Sequence, residues 1–161
     1  MAKAKKAVPE GFHTVTPSLT VHDAKDALAW YGKALGAEEV TRALGPDGKV
    51  MHAEIRLGSS RVMVNDAVMG GKSAKDFGGS PASLYVYVEN CDALFESATA
   101  NGAKVEMPMD DMFWGDRCGS LIDPYGYRWT IATRKEDLTP EETAERQKKW
   151  FADFLAQGGK V

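Results

Sequence analysis

Two hydrophobic periods run through this chain. From Val50 to Leu57 the residues alternate, with Met51, Ala53, Ile55 and Leu57 on one side and His52, Glu54 and Arg56 on the other. That period of two predicts a strand with one buried face. Between Asp23 and Gly36 the period lengthens, and Ala27, Leu28, Tyr31, Ala34 and Leu35 fall at helical spacing. Asp23 suits the helix N-cap, Asp26 suits its first turn, and Gly36 suits its C-terminal stop. Pro17 to Val21 is a short extended segment ahead of the helix. Gly45-Pro46-Asp47-Gly48 and Gly58-Ser59-Ser60 are turns between strands. Val62 and Val64 then oppose Met63 and Asn65. The first half therefore predicts a strand, a helix and three strands.

The second half follows the same plan. Ser83 to Val88 alternates, with Leu84, Val86 and Val88 opposite Ser83, Tyr85 and Tyr87. A helix is expected from about Asp92 to Asn101, stopped by Gly102. Strand-like segments lie near Val105 and from Gly119 to Ile122. Asp123-Pro124-Tyr125-Gly126 forms a turn, and a last strand runs from about Tyr127 to Ala132. The duplication is also literal. Asp26-Ala27-Leu28, followed by Gly36-Ala37, recurs 66 residues later as Asp92-Ala93-Leu94 and Gly102-Ala103. Such spacing marks a doubled structural unit, and two like halves create a cleft between them. Asp66 to Ala82, with four glycines, reads as a flexible connection. A strand follows it, so it does not fit a phosphate-binding loop before a helix. Beyond the second repeat, Thr139-Pro140-Glu141-Glu142 is a capping box opening a last helix. Its stripe of Trp150, Phe151, Phe154 and Leu155 is suited to packing on its own domain or to a dimer contact.

Composition narrows the function classes. The chain has 161 residues, 43% of them hydrophobic and 27% charged, with a formal net charge of -3. That argues against a nucleic-acid surface, which needs a basic face. Lys3, Lys5 and Lys6 belong to an expected solvated tail. No apolar run is long enough for a membrane span or a signal peptide. Cys91 and Cys118 lack metal or redox spacing, so both are expected to be reduced and the protein cytoplasmic.

Several motifs carry a resemblance. They are His13-Thr14-Val15-Thr16-Pro17, Ala29-Trp30-Tyr31-Gly32-Lys33-Ala34-Leu35-Gly36-Ala37, Met51-His52-Ala53-Glu54, Trp114-Gly115-Asp116-Arg117, and Asp123-Pro124-Tyr125-Gly126-Tyr127-Arg128-Trp129. Set on a doubled strand-helix-three-strand unit, they resemble the vicinal oxygen chelate superfamily of glyoxalases, bleomycin-resistance proteins and dioxygenases. The branch is the one labelled demethylubiquinone methyltransferase-like. The chain itself lacks the glycine-rich fingerprint of a nucleotide-binding sheet. The resemblance implies an α+β fold: two βαβββ repeats forming a cup-shaped open barrel with helices outside, here with an added C-terminal helix. It divides the chain into a tail at 1–10, a domain at 11–133 (repeats about 11–66 and 81–133) and a helical extension at 134–161. It also implies homodimers and a ligand inside the cup.

Glyoxalase-like relatives hold a divalent metal on the first and last strand of each repeat. Alternation places Thr16, Met63, Ser83 and Thr130 at those positions. None is a competent ligand for such an ion, so no metal and no cofactor are expected. The cup instead offers His52 and Glu54 on one face of one strand, expected opposite Gly119 and Leu121. The pair suits a general base with its orienting group or a polar ligand contact. It equally suits a structural pair, or an exposed face with Arg56 as charge partner. Tyr85 and Tyr87 form an aromatic wall or core, and Asn65 and Arg128 project beside them. Phe113 and Trp114 overhang the mouth. Arg117 either grips an anion or locks to Asp116. His13 and His22 are read as surface or capping residues, and Trp129 as core. The expectation is a small-molecule binding protein of the glyoxalase/bleomycin-resistance type. The alternative is a lyase, isomerase or dioxygenase-type enzyme using His52 and Glu54 as acid/base groups or in a non-standard metal site.

Overall fold

A computed structural model describes residues 3–158. The first two positions of the expected tail and the last three of the extension lie outside the described residues. Repeat one comprises β1 (Ser18–Val21), α1 (Ala24–Leu35), β2 (Glu38–Leu44), β3 (Val50–Leu57) and β4 (Ser60–Asp66). Repeat two comprises β5 (Ser83–Tyr87), α2 (Cys91–Ala100), β6 (Lys104–Asp111), β7 (Asp116–Ile122) and β8 (Arg128–Arg134). The last helix is α3 (Pro140–Ala156). Each repeat folds its strands into one mixed four-stranded sheet, ordered β1-β4-β3-β2 and β5-β8-β7-β6. The doubled βαβββ plan and the α+β cup-shaped fold stand as the sequence implied.

The local signals act where they were read. Asp23 accepts a hydrogen bond from the Asp26 N–H at the start of α1, and Asn90 does the same for α2. The Thr139–Glu142 capping box opens α3. α1 and α2 pack on one face of each sheet and against each other, so one apolar core spans both repeats. Leu19, Ile55 and Val64 meet Leu28, Tyr31 and Leu35 within repeat one. Phe95, Leu121, Trp129 and Ile131 continue the core into repeat two.

A buried aspartate ties the repeats together. Asp123 accepts from Tyr31 Oη at 2.9 Å and Trp129 Nε1 at 2.8 Å on one oxygen. Its other oxygen takes the Tyr125 and Tyr127 N–H groups. Burial pushes its carboxyl, and the Tyr31 phenol, above their ordinary ranges. Tyr125 Oη reaches Asp26 of α1 at 2.7 Å. Tyr127 Oη accepts from the Thr20 N–H and donates to the Thr20 C=O, both at 2.9 Å, so a side chain closes part of the free edge of β1.

Two expectations need correction, and two further segments take a definite form. Met51 does not face the core: a bulge between the Ala43 and Leu44 pairings leaves it exposed and buries Val50 instead. Gly119 and Leu121 do not lie opposite His52 and Glu54. Ser120 pairs Thr130 as Glu54 pairs Met63, so Cys118 and Ser120 are the matching residues, and Gly119 and Leu121 face the helix. A Cβ at Gly119 would sit 2.8 Å from the Phe95 ring, which is why the position is glycine. The connection after β4 contains a short 3-10 turn at Ala74–Phe77, capped by Asp76 on Ser73. Asp66 itself is buried and accepts from the Ala24 and Val50 N–H groups. Finally, α3 buries no residue. Its stripe meets the body through Trp150 against Phe113, at 5.8 Å between ring centroids.

Candidate functional site

Each sheet has one face on the helices and one free of them, and strand alternation decides which residues the free faces carry. On repeat one these are His52, Glu54 and Arg56 of β3 with Arg61, Met63 and Asn65 of β4. His52 Nε2 lies 3.2 Å from Glu54 Oε1. Arg56 binds Glu38 across to β2. Asn65 donates to Thr20 Oγ1 and to the Asp66 carbonyl.

On repeat two the free face is organised around Asp116, which is 2% exposed. Its Oδ2 accepts from Tyr87 Oη at 2.8 Å, Trp114 Nε1 at 3.1 Å and Tyr85 Oη at 3.2 Å. Its Oδ1 takes Arg134 Nη1 at 3.1 Å. Burial alone would raise this carboxyl, but the hydrogen bonds from Tyr87, Arg134, Tyr85 and Trp114 outweigh it and hold it below the usual range. The Tyr87 phenol is raised in turn by its bond to Asp116, and the Tyr85 phenol chiefly by burial. Cys118 is buried beside them, which raises its thiol.

Of the residues singled out from sequence, the structure brings Tyr85, Tyr87 and Trp114 together on Asp116. Phe113 stacks edge-on against Trp114, with centroids 4.8 Å apart. His52 and Glu54 pair with each other on the other sheet, with Asn65 two positions along from Met63. Arg128 stays on the free face but is held by Glu106 at 2.6 Å. Arg117 does not join them. It points to the helix side, gripping Asp92 of α2 through Nε and Nη2 at 2.8–3.0 Å, with Nη1 3.3 Å from Asp111. Neither an anion clamp over the cup nor an Asp116 lock describes it.

A crevice of about 530 Å³ lies between the repeats beside these residues. Repeat one supplies His13 to Pro17 (without Thr14), the β3–β4 turn and Val62. Repeat two supplies Ser83 to Val88 and an edge of Trp129. β5 pairs only with β8, so its other edge borders this space with unpaired backbone groups. Among the candidates only Tyr85 and Tyr87 line it, and Arg61, which sequence reasoning passed over, lines it as well. A signal for Arg61 was present. The two-residue turn Gly58-Ser59 places it directly across from Arg56, a like-charge pair that costs stability unless another role keeps it.

The sequence model of the Glyoxalase/Bleomycin resistance protein/Dioxygenase superfamily matches residues 11–131. This chain belongs to that superfamily. It is 38% identical over 133 residues to an uncharacterized protein of Mycobacterium tuberculosis strain H37Rv, covering 80% of this chain and 78% of the relative. It is 30% identical to protein YjdN of Escherichia coli, covering 71% of this chain and 90% of that one. Among solved structures, TioX from Micromonospora sp. ML1 superposes with a TM-score of 0.61 at 24% identity, over 76% of this chain and 98% of TioX. The PhnB protein of Bacillus cereus gives 0.60 at 23% identity, over 75% and 99%. Both show the fold. The match ends at residue 131, before α3 begins.

The superfamily's metal positions can now be tested on this chain. Thr16 turns its hydroxyl to the His13 carbonyl at 3.4 Å. The Ser120 and Thr130 hydroxyls, both buried, bond each other at 2.8 Å. Met63 offers a thioether and Ser83 a neutral hydroxyl, both weak donors to a hard or borderline divalent ion. Among the described residues, no group of three or more His, Cys, Asp or Glu is placed to hold a metal. The residues present do not fit the superfamily's metal.

Proposed function

We propose that this chain is a small-molecule binding protein of the glyoxalase/bleomycin-resistance type. Its ligand sits in the crevice between the repeats and is held without the superfamily's metal. The observation that carries this reading is the crevice of about 530 Å³, walled by both repeats, with apolar side chains and a few hydroxyls. Its size falls within the ~300–1,000 Å³ of ordinary ligand pockets. Leu57, Val62, Leu84, Val86 and Val88 give the apolar walls. Ser60 and Ser83 give hydrogen-bonding groups, and Tyr85 and Tyr87 give aromatic rings. The ligand is a small molecule taken from the cytoplasm, and the protein works as a homodimer, which light scattering in solution tests. A thermal-shift screen of aromatic and apolar compounds should return ligands that raise the melting temperature of the native chain but not of Ser83→Trp, whose indole would fill the crevice. Hits that stabilise both equally would sink the crevice as the site.

The His52–Glu54 pair favours a second reading, an enzyme of the lyase, isomerase or dioxygenase kind. The two side chains are in contact and partly exposed on a free sheet face. In this reading Glu54 accepts a proton from the substrate and His52 orients the carboxylate. Neither residue lines the crevice, which is why binding is preferred. Nickel, zinc or iron near one per chain in protein purified without chelator would reverse that preference. So would turnover that is abolished by Glu54→Gln with the fold intact.

A further inference from the structure

We infer that the crevice takes an amphiphilic anion: an apolar or aromatic body carrying one carboxylate-, sulfonate- or phosphate-like group, which Arg61 receives. This rests on the crevice being the ligand site. The chain has seven arginines, and six donate to a carboxylate. Arg61 is the exception. Among the described residues its guanidinium makes no hydrogen bond, and its Nη1 is buried without a partner. A buried, unsatisfied donor on a charged group is costly, so an arginine left this way marks a place where an acceptor is missing.

The surroundings say which acceptor fits. Among the described residues, Arg61 is the only lysine or arginine lining the crevice, and no aspartate or glutamate lines it. The nearest carboxylate is Glu54, with Oε2 3.9 Å from Nη1, already shared with His52. Glu54 therefore tempers the charge from behind without occupying its donors. The N-terminal segment holds the guanidinium from another side. A Cβ at Gly11 would lie 3.3 Å from Nε and Nη2, and the Phe12 ring lies under the charge with its centroid 5.9 Å away. Glycine at position 11 lets the backbone press flat on the arginine. The side chain is thus pre-positioned at the polar end of an apolar slot, which favours one bidentate anion. A dianion or a polyanion would lack further cations to meet it.

Two fluorescent probes separate the charge from the slot. 8-Anilinonaphthalene-1-sulfonate and N-phenyl-1-naphthylamine share a ring system and differ by the sulfonate. On the native chain both should bind, and Ser83→Trp should weaken both. Arg61→Gln should weaken the sulfonate about tenfold or more and the amine less than about twofold, with Arg61→Lys between. Equal loss of both probes, or no loss of either, in Arg61→Gln overturns the anion assignment while leaving the crevice reading intact. Indifference of both probes to Ser83→Trp removes the crevice reading and the anion with it. A measurement without an arginine variant guards against misfolding: decanoate should displace the amine probe from the native chain about tenfold better than decanol does. Equal displacement overturns the inference.

Discussion

The two repeats share one frame and treat their free sheet faces in opposite ways. In repeat two, Asp116 is buried, and Tyr85, Tyr87, Trp114 and Arg134 meet both of its oxygens. In repeat one, the corresponding sheet carries a partly exposed His52–Glu54 pair and an arginine with a buried nitrogen that donates to nothing. A closed polar network fixes a surface, whereas an open one leaves a binding capacity. Duplication made this division available: one copy could be stabilised while the other kept a site.

The sharpest way to break this comparison is to remove the centre of the closed network. Asp116→Ala strands Arg134, Tyr85, Tyr87 and Trp114, and should cost about 3–5 kcal/mol in urea unfolding. Glu54→Ala should cost about 1 kcal/mol or less, because its pair is half-exposed. Similar losses in both would erase the contrast.

Acid titration sharpens the comparison further. The folded-state pKa of Asp116 lies below its unfolded value, so its contribution is fully present above about 3.9, the ordinary carboxylate value. It is lost as pH falls through the lower folded value. The gap in urea midpoint between the native chain and Asp116→Asn should therefore shrink below about pH 4. Asp123 has the opposite sign. Burial raises its folded pKa, so the native chain gains relative to Asp123→Asn as pH falls from that raised value to about 3.9, above the Asp116 window. Parallel pH profiles for the two variants would contradict this. A small effect is also expected at the added helix: Trp150→Ala removes ring contacts with Phe113, Phe151 and Phe154 and should cost about 0.5–1.5 kcal/mol.

Much of this architecture was legible because it is written in local chemistry. Asp23, Gly36 and the Thr139 box mark helix ends through hydrogen bonds made within a few residues. Val62 and Val64 against Met63 and Asn65 needed only the period of a strand. What escaped depended on register or on distant partners. Gly119 faces the helix by its register, and Phe95 leaves no room there for a Cβ; alternation counted from the wrong residue reverses that face. Met51 was displaced by a bulge, which period alone does not reveal. Asp123 reads as a turn residue, and its bond to Tyr31, 92 positions away, appears only in three dimensions. At the candidate site, Tyr85 and Tyr87 were readable as face residues. Their convergence on Asp116 was not, since Asp116 shares its motif with Arg117 and the two point to opposite sides. Arg61 was hidden for a different reason. The sequence signalled it only through its place opposite Arg56 across the Gly58-Ser59 turn, and its lack of a hydrogen-bond partner appears only in three dimensions.

The Tyr127 hydroxyl on β1 carries one more consequence. A module with a bare strand border invites another copy to add there, and a unit that has already doubled itself stands one step from an endless stack. By taking both the N–H and the C=O of Thr20, a single phenol withdraws that rung from recruitment. At this border the chain closes its own edge, and strand addition there would first have to displace the phenol.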